Sequence, residues 1–364
     1  MKEDSLLVVC PHGGGDCDDA RLRAVLRFAL QGARYRVIAD PDELPSLRER
    51  RLLFAVALGE YGMSVSLLRL LLRLRQAPAL LEGCVSALII DGKSELYTKS
   101  AAATLALALN GAGSALLGRP LVEATGSLQN FRIRAKTRGL DLMGAYQTEA
   151  QELVSRLQKE RFPLHERPAL LALHASSRRT SNTMQLWARV RERLGDRCTV
   201  EEIGLRNGAV SDCSGCAYTT CLHFGERGSC FYGGLMQEEV WPAVRRCDAV
   251  VMLCPNYNDA LSANLTAFIN RMTGLFRQMR FYDKAVFAII VSGYSGGDIV
   301  ARQVLDAMNM NKSFYLPPRF ALIETANDPG EALALPGIDA RLDAFAGQIL
   351  ETLSAKSRET GEPA

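Results

Sequence analysis

Apolar residues in the second half of the chain fall in short, nearly unbroken runs at 170–173, 199–203, 249–253, 285–291 and 320–323. Between them, apolar positions recur every three or four residues over 183–194, 236–246, 261–276, 298–308 and 338–353. Continuous apolar runs are strands buried on both faces, and the intervening pattern is that of amphipathic helices. Strand and helix in strict alternation predict βαβ units and one five-stranded, doubly wound parallel sheet. The first half repeats the pattern less cleanly, with strands expected at 6–9, 35–38, 53–58, 87–90 and 121–124. The stretch SALIIDGKSELYTKSAAATLALALNGA matches AVVMLCPNYNDALSANLTAFINRMTG in layout: apolar strand, polar loop, long helix. The chain therefore reads as two copies of one fold in tandem, the first diverged. The copies span 1–160 and 167–354, joined by a linker at 161–168 that holds Pro163 and Pro168.

Composition supports this picture. The 364 residues suit about two domains. With 48% hydrophobic and 23% charged residues the chain is ordinary globular material. A net charge of +3 is a small bias for this size and does not argue for a nucleic-acid or membrane partner, so neither is expected. No signal peptide, membrane span or lipidation site is legible, so the expected compartment is the cytoplasm.

The strongest chemical signal is His174-Ala-Ser-Ser-Arg-Arg-Thr-Ser-Asn-Thr183, placed between the first strand of the second copy and its first helix. A helix start leaves backbone N–H groups unpaired and carries partial positive charge, which suits an anion. Ser176, Ser181 and Thr183 add hydroxyls, Asn182 an amide and Arg178 a guanidinium. One such residue would be an ordinary helix cap. Six polar residues in one turn suit a mononucleotide phosphate. The loop has neither GxxxxGKS nor GxGxxG, so it is neither an ATP-type phosphate loop nor a dinucleotide fingerprint.

This loop resembles the Ser-x-Arg-x-x-Ser-Asn-Thr element of the NADPH-dependent FMN reductase and iron–sulfur flavoprotein group. Two further segments follow in the family's order. Cys254-Pro255-Asn256-Tyr257-Asn258 with LSANLTAFINR is similar to its Pro-x-Tyr loop and following helix, and Val291-Ser-Gly-Tyr-Ser-Gly-Gly297 to its glycine-rich loop. The resemblance implies a flavodoxin-like sheet in the second copy, with FMN bound there and NAD(P)H as co-substrate, and the tandem pattern extends it to two flavodoxin-like doubly wound parallel sheets. It implies a flavin site made of Ser176, Arg178, Ser181, Asn182, Thr183, Pro255, Asn256, Tyr257, Asn258, Ser292, Gly293 and Gly296. Bound FMN needs no side-chain acid or base for hydride transfer, so no catalytic residue is expected.

Cys213, Cys216, Cys221 and Cys230 form C-x2-C-x4-C-x8-C, expected to lie in one loop. Four thiols so spaced can hold a [4Fe–4S] cluster or zinc, or stay reduced over the flavin, or act as redox thiols. The resemblance puts iron–sulfur first, although the family's spacing is tighter. His223, inside the segment, is expected to face solvent.

In the first copy, the Pro11–Asp16 turn lacks a Ser/Thr cluster, and Asp16, Asp18 and Asp19 would repel phosphate. That copy is expected to have lost FMN and to act as an internal pseudo-partner. Family reductases often build the flavin pocket at a dimer interface, which leaves room for a homodimer. The leading expectation is an NAD(P)H-dependent FMN oxidoreductase serving a small-molecule electron acceptor. An electron carrier for a protein partner, or a flavin-binding interaction protein without turnover, are the other readings.

Overall fold

A computed structural model describes residues 6–11, 20–176 and 181–355. The chain divides into two compact units, Met1–Arg161 with Leu316–Arg319, and Phe162–Tyr315 with Phe320–Ala364.

The first unit contains strands β1 (Leu6–Val9), β2 (Tyr35–Ile38), β3 (Arg51–Leu58), β4 (Val85–Gly92) and β5 (Ala115–Ala124). Its helices are α1 (Ala20–Ala29), α2 (Val65–Gln76), α3 (Thr98–Gly111), α4 (Arg132–Arg138) and α5 (Leu142–Lys159). The strands pair in parallel in the order β2-β1-β3-β4-β5. β3 and β4 are buried almost throughout, as expected of apolar strands in the middle of a parallel sheet. β5 begins six residues before the sequence reading placed it. Its register against β4 shifts between Ser86 and Leu88. The extra residues include Arg119, at φ 51°, and Pro120. Proline cannot donate to the ladder, so the strand accommodates it in a bulge. Arg156 Nη2 donates to the freed carbonyls of Gly118 and Arg119 at 2.7 and 3.0 Å.

The second unit contains β6 (Ala169–His174), β7 (Thr199–Gly204), β8 (Ala249–Pro255), β9 (Ala285–Ser292) and β10 (Ala321–Thr325). Its helices are α6 (Asn182–Leu194), α7 (Tyr218–Glu226), α8 (Trp241–Arg246), α9 (Ala263–Gln278), α10 (Gly297–Val304), α11 (Glu331–Ala334) and α12 (Ile338–Leu353). The order β10-β9-β8-β6-β7 is the first unit's order again, counted from each unit's own first strand. The fold is α/β, two flavodoxin-like parallel sheets in one chain. One face of the second sheet buries Leu170, Ala172, Val251, Leu253, Phe287 and Ile289 against Trp187 and Val190 of α6 and Leu342, Phe345 and Ile349 of α12. Apolar faces of this kind contribute roughly 25 cal/mol per Å² removed from water.

The expected helix at 236–246 is two pieces, a π-type turn at Met236–Val240 followed by α8. Pro242 stands at the start of α8, where its missing N–H breaks the regular ladder. The cysteine segment also departs from expectation. It is not one loop, because α7 runs through its centre and carries Cys221. Cys221, Leu222, Phe224 and Gly225 are the less exposed positions of α7, three and four residues apart as on one helix face.

Candidate functional site

In a sheet of order 2-1-3-4-5, the switch point lies between the first and third strands, and ligands bind outside the carboxyl ends there. In the second unit these are β6 and β8. Three of the four residues after Ser176 that carry the phosphate signal, Ser181, Asn182 and Thr183, sit at or just inside the start of α6. Arg178 falls in 177–180, outside the described residues. Ser181 is the N-cap of α6 but makes no side-chain cap; its Oγ shares a 2.8 Å hydrogen bond with Thr183 Oγ1. Both hydroxyls therefore lie at a helix N-terminus without closing it, the arrangement that leaves backbone donors for an anion. His174 ends β6 and is buried; its Nδ1 lies 3.0 Å from the Ser176 carbonyl and fixes the first turn of the loop.

Asn182 has a different setting. Its Nδ2 donates to Asp328 O at 3.0 Å, and its Oδ1 accepts from Gly330 N at 2.9 Å and Ala332 N at 3.4 Å. The side chain ties the start of α6 to the segment that follows β10.

The loop after β8 turns on two residues. Asn258 and Asp259 have φ of 55° and 56°, and Tyr257 and Ala260 exchange backbone hydrogen bonds across them. Two left-handed residues between bonded neighbours form a tight reversal, which Asn and Asp tolerate best. Pro255, the last residue of β8, is half-buried. Asn256 Nδ2 lies 3.1 Å from Ser292 Oγ and 3.0 Å from Ser295 O, joining this loop to the one after β9. Asn256 Oδ1 is buried and has no partner among the described residues. A buried carbonyl left unpaired costs about 1–3 kcal/mol, so it stands ready for a donor. Ser292 is buried beneath it.

The glycines of the third loop answer to the protein itself. A Cβ on Gly293 would come within 2.9 Å of Asn327 Oδ1, and one on Gly297 within 2.5 Å of Ile323 Cγ2. Gly296 has φ 85° and would put a Cβ against Asp259 and Asn256. Close packing of three carboxyl-end loops requires glycine there. Between Gly293 and Gly296 stands Tyr294, 82% exposed, which the sequence reading quoted but did not single out. With Tyr257, 58% exposed, it gives adjacent loops two solvent-facing aromatic rings. An aromatic residue set between glycines in a strand-to-helix loop is the signal in the sequence that marks it.

The four spaced cysteines converge. Cys213, Cys216, Cys221 and Cys230 line one cavity of about 90 Å³, with Phe224 and Arg271 among its other walls. Among the described residues no three His, Cys, Asp or Glu stand close enough to hold a single metal ion. A tetrahedral zinc site, with Zn–S near 2.3 Å, is thus not preformed. His223 is exposed. Elsewhere, burial pushes the Cys254 thiol far above its ordinary range and the Cys247 thiol up to about 12, so both behave as small core residues.

The matching end of the first unit is built differently. Residues 12–19, which include most of the Pro11–Asp16 turn, lie outside the described residues. At the end of β4, Asp91 accepts from Arg21 Nη2 at 2.6 Å and from Tyr146 Oη at 3.1 Å. Arg21 also donates to the carbonyls of Gly92 and Gly126 at 2.7 and 3.0 Å. Burial and the Asp91 carboxylate hold the Tyr146 phenol well above its usual range.

No curated protein matches the chain. Among solved structures it is similar to an NAD(P)H:quinone oxidoreductase from Methanothermobacter marburgensis, at 14% identity over 50% of this chain and 98% of that one, TM-score 0.39. It is also similar to an FMN-dependent NADH-azoreductase from Bacillus anthracis, at 12% identity over 50% of this chain and 99% of that one, TM-score 0.35. No helix among the described residues is long and apolar enough to cross a membrane. The family model of NADPH-dependent FMN reductase matches residues 168–328, a span that runs from β6 past β10 and takes in all three carboxyl-end loops. That match covers 161 of the chain's 364 residues, all of them between β6 and the segment after β10, so the likeness to NADPH-dependent FMN reductases lies in the C-terminal half.

Proposed function

We propose that the chain is an NAD(P)H-dependent FMN oxidoreductase, with FMN in the C-terminal domain, 167–354, and a degenerate copy of the fold in 1–160. The observation that carries this reading is the pair of loops at the switch point. One offers the Ser181 and Thr183 hydroxyls and the open N-terminus of α6; the other offers the unpartnered Asn256 carbonyl. The donor set fits a flavin mononucleotide at both ends: hydroxyls and backbone N–H groups for the phosphate, an amide acceptor for a ring N–H. Ser176, Arg178, Ser181 and Thr183 would hold the phosphate. Pro255, Asn256, Tyr257, Asn258, Ser292, Gly293 and Gly296 would frame the ring system, and Tyr294 extends the aromatic surface. Asn182 acts by fixing the helix start against the segment after β10. FMN when bound supplies the hydride and electron chemistry; the protein supplies position and a shaped, partly dry setting. Steady oxidation of NADPH or NADH by FMN-loaded protein with a quinone as acceptor tests the proposal. Absence of turnover with quinone, nitro and azo acceptors alike would leave flavin binding without catalysis.

A second reading, an FMN and iron–sulfur electron carrier, is favoured by the cavity at Cys213, Cys216, Cys221 and Cys230. Four thiols on one small cavity are the donor set of a [4Fe–4S] cluster. The segment that bears them leaves the carboxyl end of β7, the same end of the sheet as the flavin loops. Iron and sulfide analysis of the purified protein separates the two readings.

A further inference from the structure

Arg271 lies on α9 in the wall of the cysteine cavity and is only 5% exposed. Its guanidinium donates to two backbone carbonyls, Gly233 O at 2.7 Å and Ser211 O at 3.4 Å. Those carbonyls flank the segment that bears the four cysteines, one on each side. Its Nε is buried and has no partner among the described residues. Among the described residues no Asp or Glu pairs with Arg271. The nearby carboxylate, Asp212, is exposed and accepts instead from Asn270 Nδ2 at 3.0 Å and from Cys213 N at 2.6 Å. A second cation stands near, since Lys312 Nζ donates at 2.9 Å to Thr273 Oγ1, and Thr273 also lines the cavity.

A buried guanidinium with only dipoles for partners and one idle N–H is unfavourable unless a negative charge comes to it. The cavity it faces offers four thiols. They are neutral when protonated but must shed their protons to ligate iron, which makes the loaded site an anion. The geometry points to Arg271 as the counter-charge of an anionic iron–sulfur cluster on Cys213, Cys216, Cys221 and Cys230, and as the residue that sets the cluster's reduction potential. This inference rests on the iron–sulfur reading of the cavity. A positive charge beside the cluster favours the form with one more electron, so removing it lowers the potential; charge and hydrogen bonding near the sulfurs are the protein's means of tuning such centres.

The test uses full-length protein reconstituted anaerobically with ferric iron, sulfide and excess dithiothreitol, which reduces part of the iron, then desalted, titrated with dithionite as the electron donor and followed by visible absorption and electron paramagnetic resonance. Wild type is expected to take up about four iron per chain. R271Q at equal iron content is expected to show an equilibrium constant for one-electron reduction about tenfold less favourable, which is about 59 mV lower. R271K, which keeps the charge and loses the fork, is expected within about threefold of wild type. If R271Q fails to fold or to load, R271M, which also removes the charge and keeps the buried stem, decides against R271K: a tenfold loss relative to R271K supports the role of charge, and a potential equal to that of R271K overturns it. Iron uptake with the same potential in R271Q and wild type overturns the role of Arg271 and leaves the cluster in place. No iron uptake by wild type overturns both.

Discussion

Thr183 and Asn182 are neighbours at the start of one helix and have unlike tasks. Thr183 is buried, and its hydroxyl shares a hydrogen bond with that of Ser181. T183V keeps the shape and removes that hydroxyl. A hydrogen bond to a charged phosphate contributes about 1.5–3 kcal/mol, so FMN affinity should fall at least about tenfold, read as Kd by flavin fluorescence quenching. Asn182 bonds the segment after β10 through both ends of its amide. N182A should therefore lower stability by about 2 kcal/mol, seen as a lower urea midpoint at unchanged slope, with a smaller effect on FMN affinity than T183V. Equal effects on affinity would mean that Asn182 touches the cofactor after all. The cysteines make a third residue-scale contrast. Cys213 is exposed and Cys216, Cys221 and Cys230 are half-buried, whereas Cys10, Cys84, Cys198, Cys247 and Cys254 are buried. The thiolate is the reactive form, and burial raises the Cys84, Cys198, Cys247 and Cys254 thiols above their ordinary value. Those four stay protonated at pH 8, so alkylation of the native protein counted by mass spectrometry should stop at the accessible set.

Among the elements, those with an uninterrupted signal were legible in the sequence. β8, β9, α6 and α12 combine long apolar runs or clear periodicity with defined ends, and the structure has them within two residues of the reading. Elements with a local conflict were read short or missed. Pro120 hid the first part of β5, because a bulge capped by Arg156 is a tertiary solution that no local pattern announces. α7 was hidden by its own cysteines, and Pro242 split one apparent helix into a π-type turn and α8. The loops proposed to hold flavin stand out in the sequence by their Ser, Thr and Asn content. Asn256, Ser292 and Asp259 interlock only in three dimensions, and so does the need for glycine at 293, 296 and 297. In the first unit, the Arg21–Asp91–Tyr146 set joins α1, β4 and α5. D91A removes the acceptor for both partners in a mostly buried setting. It should lower the stability of that unit by about 2 kcal/mol, less than the loss for a wholly buried pair because Arg21 is partly solvated. A urea transition in two steps, of which only one moves, would show it, and an unshifted profile would deny the clamp its structural role.

The whole molecule is one topology written twice, with the strand order 2-1-3-4-5 in each unit and different contents at the carboxyl ends. In the second unit those ends carry an α6 start that Ser181 does not cap and an Asn256 carbonyl without a partner among the described residues. In the first, the end of β4 is closed by an ion pair and a tyrosine that satisfy one another. Fold alone does not choose a function; the contents of the site do. The account thus assigns flavin to one unit of two, and the D91A chain should keep the flavin content of wild type. The most direct test is the FMN content of the purified chain after saturation with FMN and removal of excess, from its visible absorption against protein concentration. The account predicts close to one FMN per chain, lost in a chain carrying R178A and T183V together. A colourless protein that takes up no FMN, or two FMN per chain, would contradict it.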